Sequence, residues 1–143
     1  MRHRPSWPFI AIATALVLAS ALVYAQPQSI RVGKTGEIEL TQETRFGTTL
    51  LQPGHYEVQH TVASGQHYVL VRQRVQMNRR HTSLVTGSEV ARVPCRVVML
   101  AKPARFSFAY WTKDADGQAT ITEIRIADEP AGHLIALEPS TRQ

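Results

Sequence analysis

The chain has 143 residues, and its 16 lysine and arginine side chains outnumber its 11 aspartates and glutamates to give a formal net charge of +5. A hydrophobic content of 43% and a charged content of 19% are typical of a folded globular protein and exclude the disordered class. The single cysteine, Cys95, excludes an internal disulfide, a cysteine-based zinc cluster and an iron–sulfur centre.

The first 25 residues have the three-part pattern of a secretory signal peptide. Arg2 and Arg4 form a positive n-region, an uninterrupted apolar or small-residue run extends from Phe9 to Val23, and a Val-Tyr-Ala cleavage site ends at Ala25. This run is shorter than the roughly 20 residues with which a helix spans a bilayer. We therefore predict cleavage after Ala25, no permanent membrane span and a periplasmic or secreted protein. The alternatives are cleavage after Ala21 and an uncleaved anchor, which also place the domain outside the cytoplasm.

Residues 26–143 form the predicted mature protein, a single domain of 118 residues. The removed segment holds two arginines and no acid, so 14 basic and 11 acidic side chains remain, a net charge of +3. This length suits one domain, and no internal repeat or linker divides it.

The first predicted strands alternate apolar and polar residues with a period of two. Glu37–Leu40 alternates, and so does His55–Val62, in which Tyr56, Val58, His60 and Val62 share one face. Ala63–Gln66 has turn composition, and His67–Val75 is predicted to return as the second strand of a hairpin.

A second hairpin is predicted from Arg105–Thr112 and Thr120–Ile126. The intervening Asp114–Gly117 ends in the Asp-Gly pair that favours hairpin turns. Phe106, Phe108 and Tyr110 are predicted to share one face of its first strand.

Three further stretches complete the predicted fold. Val93–Leu100 is a strand in which Pro94 indicates an edge or a strand start, and His133–Leu137 closes the sheet. Asn78–Glu89 is predicted to be a loop with at most one short strand. The sequence thus predicts an all-β fold, an antiparallel β-sandwich or small β-barrel of seven to nine short strands.

Histidines are the first candidate site residues. If Val62 pairs with His67 across the turn, His60 lies opposite Val69 and diagonal to His67 on the same face, within about 7–8 Å. This predicts a ligand-binding face with His60, His67 and Tyr68. Two imidazoles could reach one metal ion there, with Met77 and Met99 as soft donors, but no third ligand has a defined spacing, so the sequence assigns no metal ligand and no cofactor.

Positive charge is concentrated in the middle of the chain. From Val58 to Lys113 there are nine basic side chains and one acidic side chain, Glu89, a local charge of +8. Arg72 and Arg74 share a strand face and are candidate anion-binding residues. Because we predict export, anionic envelope components are expected partners and nucleic acid is not. A solvated basic surface without a ligand is the alternative.

Sequence motifs for catalysis are missing. The chain has no G-x-S-x-G elbow, phosphate loop, dinucleotide fingerprint or H-E-x-x-H. Cys95 lies in an apolar strand, where a free cysteine usually behaves as a small buried hydrophobic residue, although an exposed Cys95 could form an intermolecular disulfide.

Gly47–Val71 resembles a group of small exported bacterial β-proteins, seen in Acidobacteria-like genomes, that have no assigned activity. The resemblance rests on a short Gly-Thr-x-Leu strand and a Leu-x-Pro-Gly-x-Tyr-x-Val turn and strand, with further matches at Val90–Cys95 and Ile121–Ile126. It implies export and a β-fold and assigns no functional residue. We therefore expect a non-catalytic binding or structural module of the cell envelope, with a ligand- or metal-binding protein that uses His60 and His67 as the alternative.

Overall fold

Nine strands and no helix make up the described part of the chain, residues 32–76 and 83–136 of a computed structural model. The strands are β1 (Thr35–Leu40), β2 (Thr44–Phe46), β3 (Thr49–Leu51), β4 (Gly54–Ala63), β5 (Gln66–Gln76), β6 (Leu84–Met99), β7 (Phe108–Lys113), β8 (Ala119–Arg125) and β9 (Ala131–Ile135). The predicted signal peptide and Arg79, Arg80 and His81 lie outside the described residues. The all-β prediction is confirmed.

All nine strands belong to one hydrogen-bonded sheet. Its order is β1-β4-β5-β6-β9-β8-β2-β3, and β7 pairs with β8. Every pair is antiparallel except β2 with β8, which run parallel at Thr44 and Ala119, so the sheet is mixed rather than purely antiparallel. Strand β2 was not predicted, whereas β3 overlaps the short Gly-Thr-x-Leu strand on which the family resemblance rests.

Strand β6 connects the two halves of the sheet. Its first part pairs with β5 up to Pro94, and its last part pairs with β9 from Cys95 onward. The predictions of a loop over Asn78–Glu89 and of a strand start at Pro94 are therefore wrong for the described residues, since β6 already begins at Leu84. Proline has no N–H to donate, and it lies where the strand exchanges one partner for the other.

Both predicted hairpins are present. Ser64 and Gly65, with φ of 50° and 76°, form the two-residue turn between β4 and β5, a conformation that suits the twist of the strands. In the second hairpin the Asp114 carboxylate accepts the N–H groups of Asp116 and Gln118. Phe106 lies before β7 and is 72% exposed, so it does not share the predicted face.

The core lies between the inner faces of the two halves. Alternate residues of β4 and β5 contribute Val58, Val69 and Val71, and the other half contributes Phe46 and Ile124, all fully buried. The largest other apolar members are Ile38, Leu40, Leu51, Tyr56, Ile121, Ile126 and Ile135. The ionisable side chains of His60, Glu129 and His133 are also fully buried, and together with the partly buried His67 they form the candidate site.

Candidate functional site

Three polar side chains are fully buried in contact with one another. His60, Glu129 and His133, hereafter the buried cluster, each have no solvent-exposed area. One carboxylate oxygen of Glu129 lies 3.2 Å from His60 Nδ1, and the other lies 3.1 Å from His133 Nε2. The imidazole centroids of His60 and His133 are 4.4 Å apart. A single carboxylate therefore bridges two histidines that come from opposite halves of the sheet.

Strand alternation points His60 and His133 inward. His60 follows Tyr56 and Val58 on the buried face of β4, and His133 lies between buried Ala131 and Ile135 on β9. Ile124 pairs with His133, which fixes the height of the imidazole in the sheet. Both positions follow directly from the period of two.

Glu129 reaches the interior from the turn between β8 and β9. Asp128 adopts a positive φ of 57° and donates its N–H to the Ala104 carbonyl, and the Glu129 N–H donates to the Ile126 carbonyl. Pro130 follows and restricts Glu129 to an extended conformation. These contacts hold the backbone of the turn so that the carboxylate points between the two imidazoles.

His67 extends the buried cluster toward solvent. Its Nδ1 lies 2.8 Å from His60 Nε2, and the two rings stack at 5.0 Å with an interplanar angle of 14°. The predicted register is confirmed, because Val62 pairs with His67 and His60 pairs with Val69. His67 is only partly buried, unlike the three members of the buried cluster.

The side-chain contacts that begin at His67 and pass through the buried cluster end at Cys95. Its Sγ lies 3.9 Å from His133 Nδ1, and its side chain is buried. Burial, with a smaller contribution from the Glu129 charge, raises the pKa of the Cys95 thiol to about 11. Cys95, His133 and Glu129 are arranged in the order of a nucleophilic triad, but a thiol with this pKa stays protonated near neutral pH and is a poor nucleophile.

Hydrogen bonds from two imidazoles keep Glu129 ionised. Burial by itself raises the pKa of this carboxyl group, but the hydrogen bonds and electrostatic interactions with His133 and His60 together outweigh burial, so that its pKa is lowered overall. A carboxylate can only accept, so His60 Nδ1 and His133 Nε2 must carry the protons. In neutral His60, Nε2 is then an acceptor, and His67 Nδ1–H donates to it.

The donor set of the buried cluster fits a transition-metal ion. Its two imidazole nitrogens and one carboxylate oxygen lie within 4.8 Å of one another. With metal–ligand distances of about 2.1 Å, tetrahedral geometry separates ligand atoms by about 3.4 Å. Each imidazole nitrogen lies near that distance from one of the two carboxylate oxygens, 3.2 Å for His60 Nδ1 and 3.1 Å for His133 Nε2, so the carboxylate could bind an ion through either or both oxygens. Both rings also have a partner on the second nitrogen, as metal-bound histidines usually do.

Other predicted site residues lie away from the buried cluster. Tyr68 pairs with Thr61 on the face opposite to His67, so its predicted grouping with the histidines is wrong, because neighbouring strand residues alternate. Met99 is 54% exposed, and Met77 lies outside the described residues.

Arg72 and Arg74 lie on the outer surface and are paired with acids. Arg72 Nη1 donates to Glu57 Oε1 at 3.2 Å and to Gln59 at 2.9 Å. Arg74 forms an ion pair with Glu37 and donates to the Leu84 carbonyl at 2.7 Å. Both glutamates precede Val58 in the sequence, so acids outside the Val58–Lys113 stretch partly neutralise its positive charge.

Sequence reasoning missed Glu129 and the position of His133. The even spacing between the two residues places them on one side of an extended chain, which is a weak signal. His60 and Glu129 are 69 positions apart in the sequence, and nothing in it indicated that the two side chains meet.

Comparison with protein-family models, with curated proteins and with solved structures finds no match to this chain. The described ranges contain no helix whose length and hydropathy would allow it to cross a membrane. The class that the fold and the site define is therefore an all-β domain with a buried His–Glu–His cluster.

Proposed function

We propose that the protein is an exported, non-catalytic β-domain that binds a divalent first-row transition-metal ion through His60, Glu129 and His133. The observation that carries this proposal is the convergence of two imidazoles and one ionised carboxylate, all fully buried, on one point between the two halves of the sheet. Export rests on the amino-terminal pattern of Arg2, Arg4, the apolar run to Val23 and Ala25.

The burial of the buried cluster limits the size of its ligand. A ligand that replaces contacts of about 3 Å between fully buried atoms must itself be atomic in size, which favours a metal ion over an organic molecule. The shallow surface groove formed by Arg96, Thr122, Leu134, Ile135 and Ala136 includes none of the histidines. Imidazole and carboxylate together suit zinc, cobalt and copper better than calcium or magnesium, which prefer oxygen ligands alone.

A non-catalytic role is favoured by the state of the one thiol that contacts the buried cluster in the described part of the chain. Cys95 is the nearest candidate nucleophile among the described residues, and its raised pKa keeps the thiol protonated. The ion pairs of Arg72 and Arg74 weaken the case for binding anionic envelope components through these two residues.

The proposal is tested by calorimetry on the secreted protein after removal of metal with a chelator. We expect zinc to bind with one ion per chain, and cobalt to give the intense visible absorption of a four-coordinate site without a sulfur charge-transfer band. Glu129→Gln, which keeps the shape of the side chain and removes its charge, should weaken zinc binding by more than the 10–100-fold that loss of an outer-shell partner costs.

His55→Ala is the matched control. His55 is on the same strand as His60 and is exposed on the outer face, so its removal should leave zinc binding unchanged. A wild-type protein that binds neither zinc, cobalt nor copper would overturn the proposal. Equal loss of binding in His55→Ala and Glu129→Gln would place the metal on the surface and contradict it as well.

A further inference from the structure

His67 differs from the buried cluster in its access to solvent. The three members of the buried cluster have no exposed area, whereas His67 is partly exposed and lies at the start of β5, next to the Ser64–Gly65 turn. Its ring covers His60, with the centroids 5.0 Å apart. Among the described members of this polar network, His67 alone links the buried side chains to the surface.

The geometry excludes His67 from the same coordination shell as Glu129. His60 presents Nδ1 to the carboxylate and the opposite nitrogen, Nε2, to His67. An ion bound by His60 Nδ1, Glu129 and His133 therefore lies on the far side of the His60 ring from His67. What His67 can offer is a hydrogen bond to the second nitrogen of a metal ligand, which fixes that ligand's orientation.

The direction of the hydrogen bond between His60 and His67 would differ between the metal-free and the metal-bound protein. Without metal, His60 Nδ1–H donates to Glu129 and His67 Nδ1–H donates to His60 Nε2. When a metal occupies His60 Nδ1, the remaining proton of a neutral His60 lies on Nε2, which must then donate to His67 Nδ1. His67 accepts by carrying its own proton on Nε2, so the proton count of the two rings is unchanged. An imidazole can serve both states, because either nitrogen can be the donor.

Resting on the proposed function, we infer that His67 is the outer-shell positioning residue of the metal site and slows release of the ion by fixing the orientation of the His60 ring. Its hydrogen bond to His60 Nε2 holds the His60 ring in the orientation in which Nδ1 faces Glu129 and the site between the two halves of the sheet. His67 thus affects how fast the ion exchanges as well as how tightly it binds, and it does not touch the ion.

The test compares zinc release from wild type, His67→Ala, His67→Gln and His55→Ala, with a chelator added in excess and release followed in time. We expect His67→Ala to release zinc 10–100-fold faster than wild type while the visible spectrum of the cobalt form keeps its shape. His67→Gln should restore part of the slow release, since its amide can both donate and accept. His55→Ala should match wild type.

The outcomes separate this inference from the proposed function. If wild type binds zinc and His67→Ala releases it at the wild-type rate, the inference is overturned and the metal site stands. If His67→Ala changes the cobalt spectrum or abolishes binding while the protein stays folded, His67 is a ligand, and the inference is again wrong. If wild type binds no metal, the proposed function itself fails.

Discussion

The two faces of the β4–β5 hairpin place polar side chains in opposite environments. On the inner face, His60 and His67 join Glu129 and His133 in a network with three fully buried members. On the outer face, Arg72 pairs with Glu57, and both side chains are partly exposed. When a partner is removed, water can satisfy the groups left on the outer face but not those left on the inner face. Hydrogen bonds of similar length therefore contribute very differently to the stability of the fold.

Removing the Glu129 carboxylate should have the largest effect on stability. Glu129→Ala leaves two buried imidazole N–H groups without their acceptor, and each buried donor that loses its partner typically costs about 1–3 kcal/mol. The free energy of unfolding in urea, measured with a chelator present, checks this expectation. Glu129→Gln, which retains one acceptor oxygen, should cost clearly less. If Glu129→Ala lowered the free energy of unfolding by less than about 1 kcal/mol, the inner network would contribute as little to stability as an exposed ion pair.

Zinc should stabilise the folded protein to a slightly smaller extent. A ligand that binds only the native state contributes about 2.7 kcal/mol when its free concentration is 100 times Kd. Thermal unfolding with and without zinc measures this gain, which Glu129→Gln should lose and Arg72→Met should keep. An equal shift of Tm in all three proteins would show that the ion binds elsewhere.

The ion pairs on the outer face should contribute less to the free energy of unfolding than the Glu129 carboxylate or bound zinc. Arg72→Met should lower the free energy of unfolding by less than about 1 kcal/mol, because solvent screens the Arg72–Glu57 pair. Arg74→Met should cost somewhat more, about 1 kcal/mol, since the Arg74 side chain is only 16% exposed and also donates to the Leu84 carbonyl. Unfolding at low and high salt separates the two contributions, and only the ion-pair part should depend on salt.

The smallest expected signal is thiol labelling of the native protein. Cys95 is 6% exposed and its thiol pKa is raised to about 11, so a thiol reagent at neutral pH should react only as fast as the protein opens. Labelling in denaturant provides the control for full reactivity. Rapid labelling without denaturant would show that the inner face is open to water at the Cys95 end.

Local patterns predicted the hairpins and the placement of His60 and His67 on one face. Both depend on short-range rules: a two-residue turn accommodated by Ser64 and Gly65, and a side-chain period of two. Glu129 could not be predicted in the same way, since its position depends on a turn and on strand pairing 69 residues away from His60. The ion pairs of the predicted basic face could not be predicted for a related reason. The glutamates that pair with Arg72 and Arg74 come from other strands, and a charge count along the chain does not reveal them.

The change of partners along β6 divides the sheet into two groups of strands. His60 and His67 belong to the group that pairs through β5, whereas His133 belongs to the group that pairs through β9, and Glu129 lies in the turn before it. An ion held by His60, Glu129 and His133 would therefore cross-link the two groups, much as a disulfide cross-links two segments of a secreted domain. With a single cysteine, this chain cannot form such a link covalently within itself, and a metal bound at the buried cluster would make its two halves unfold as one cooperative unit.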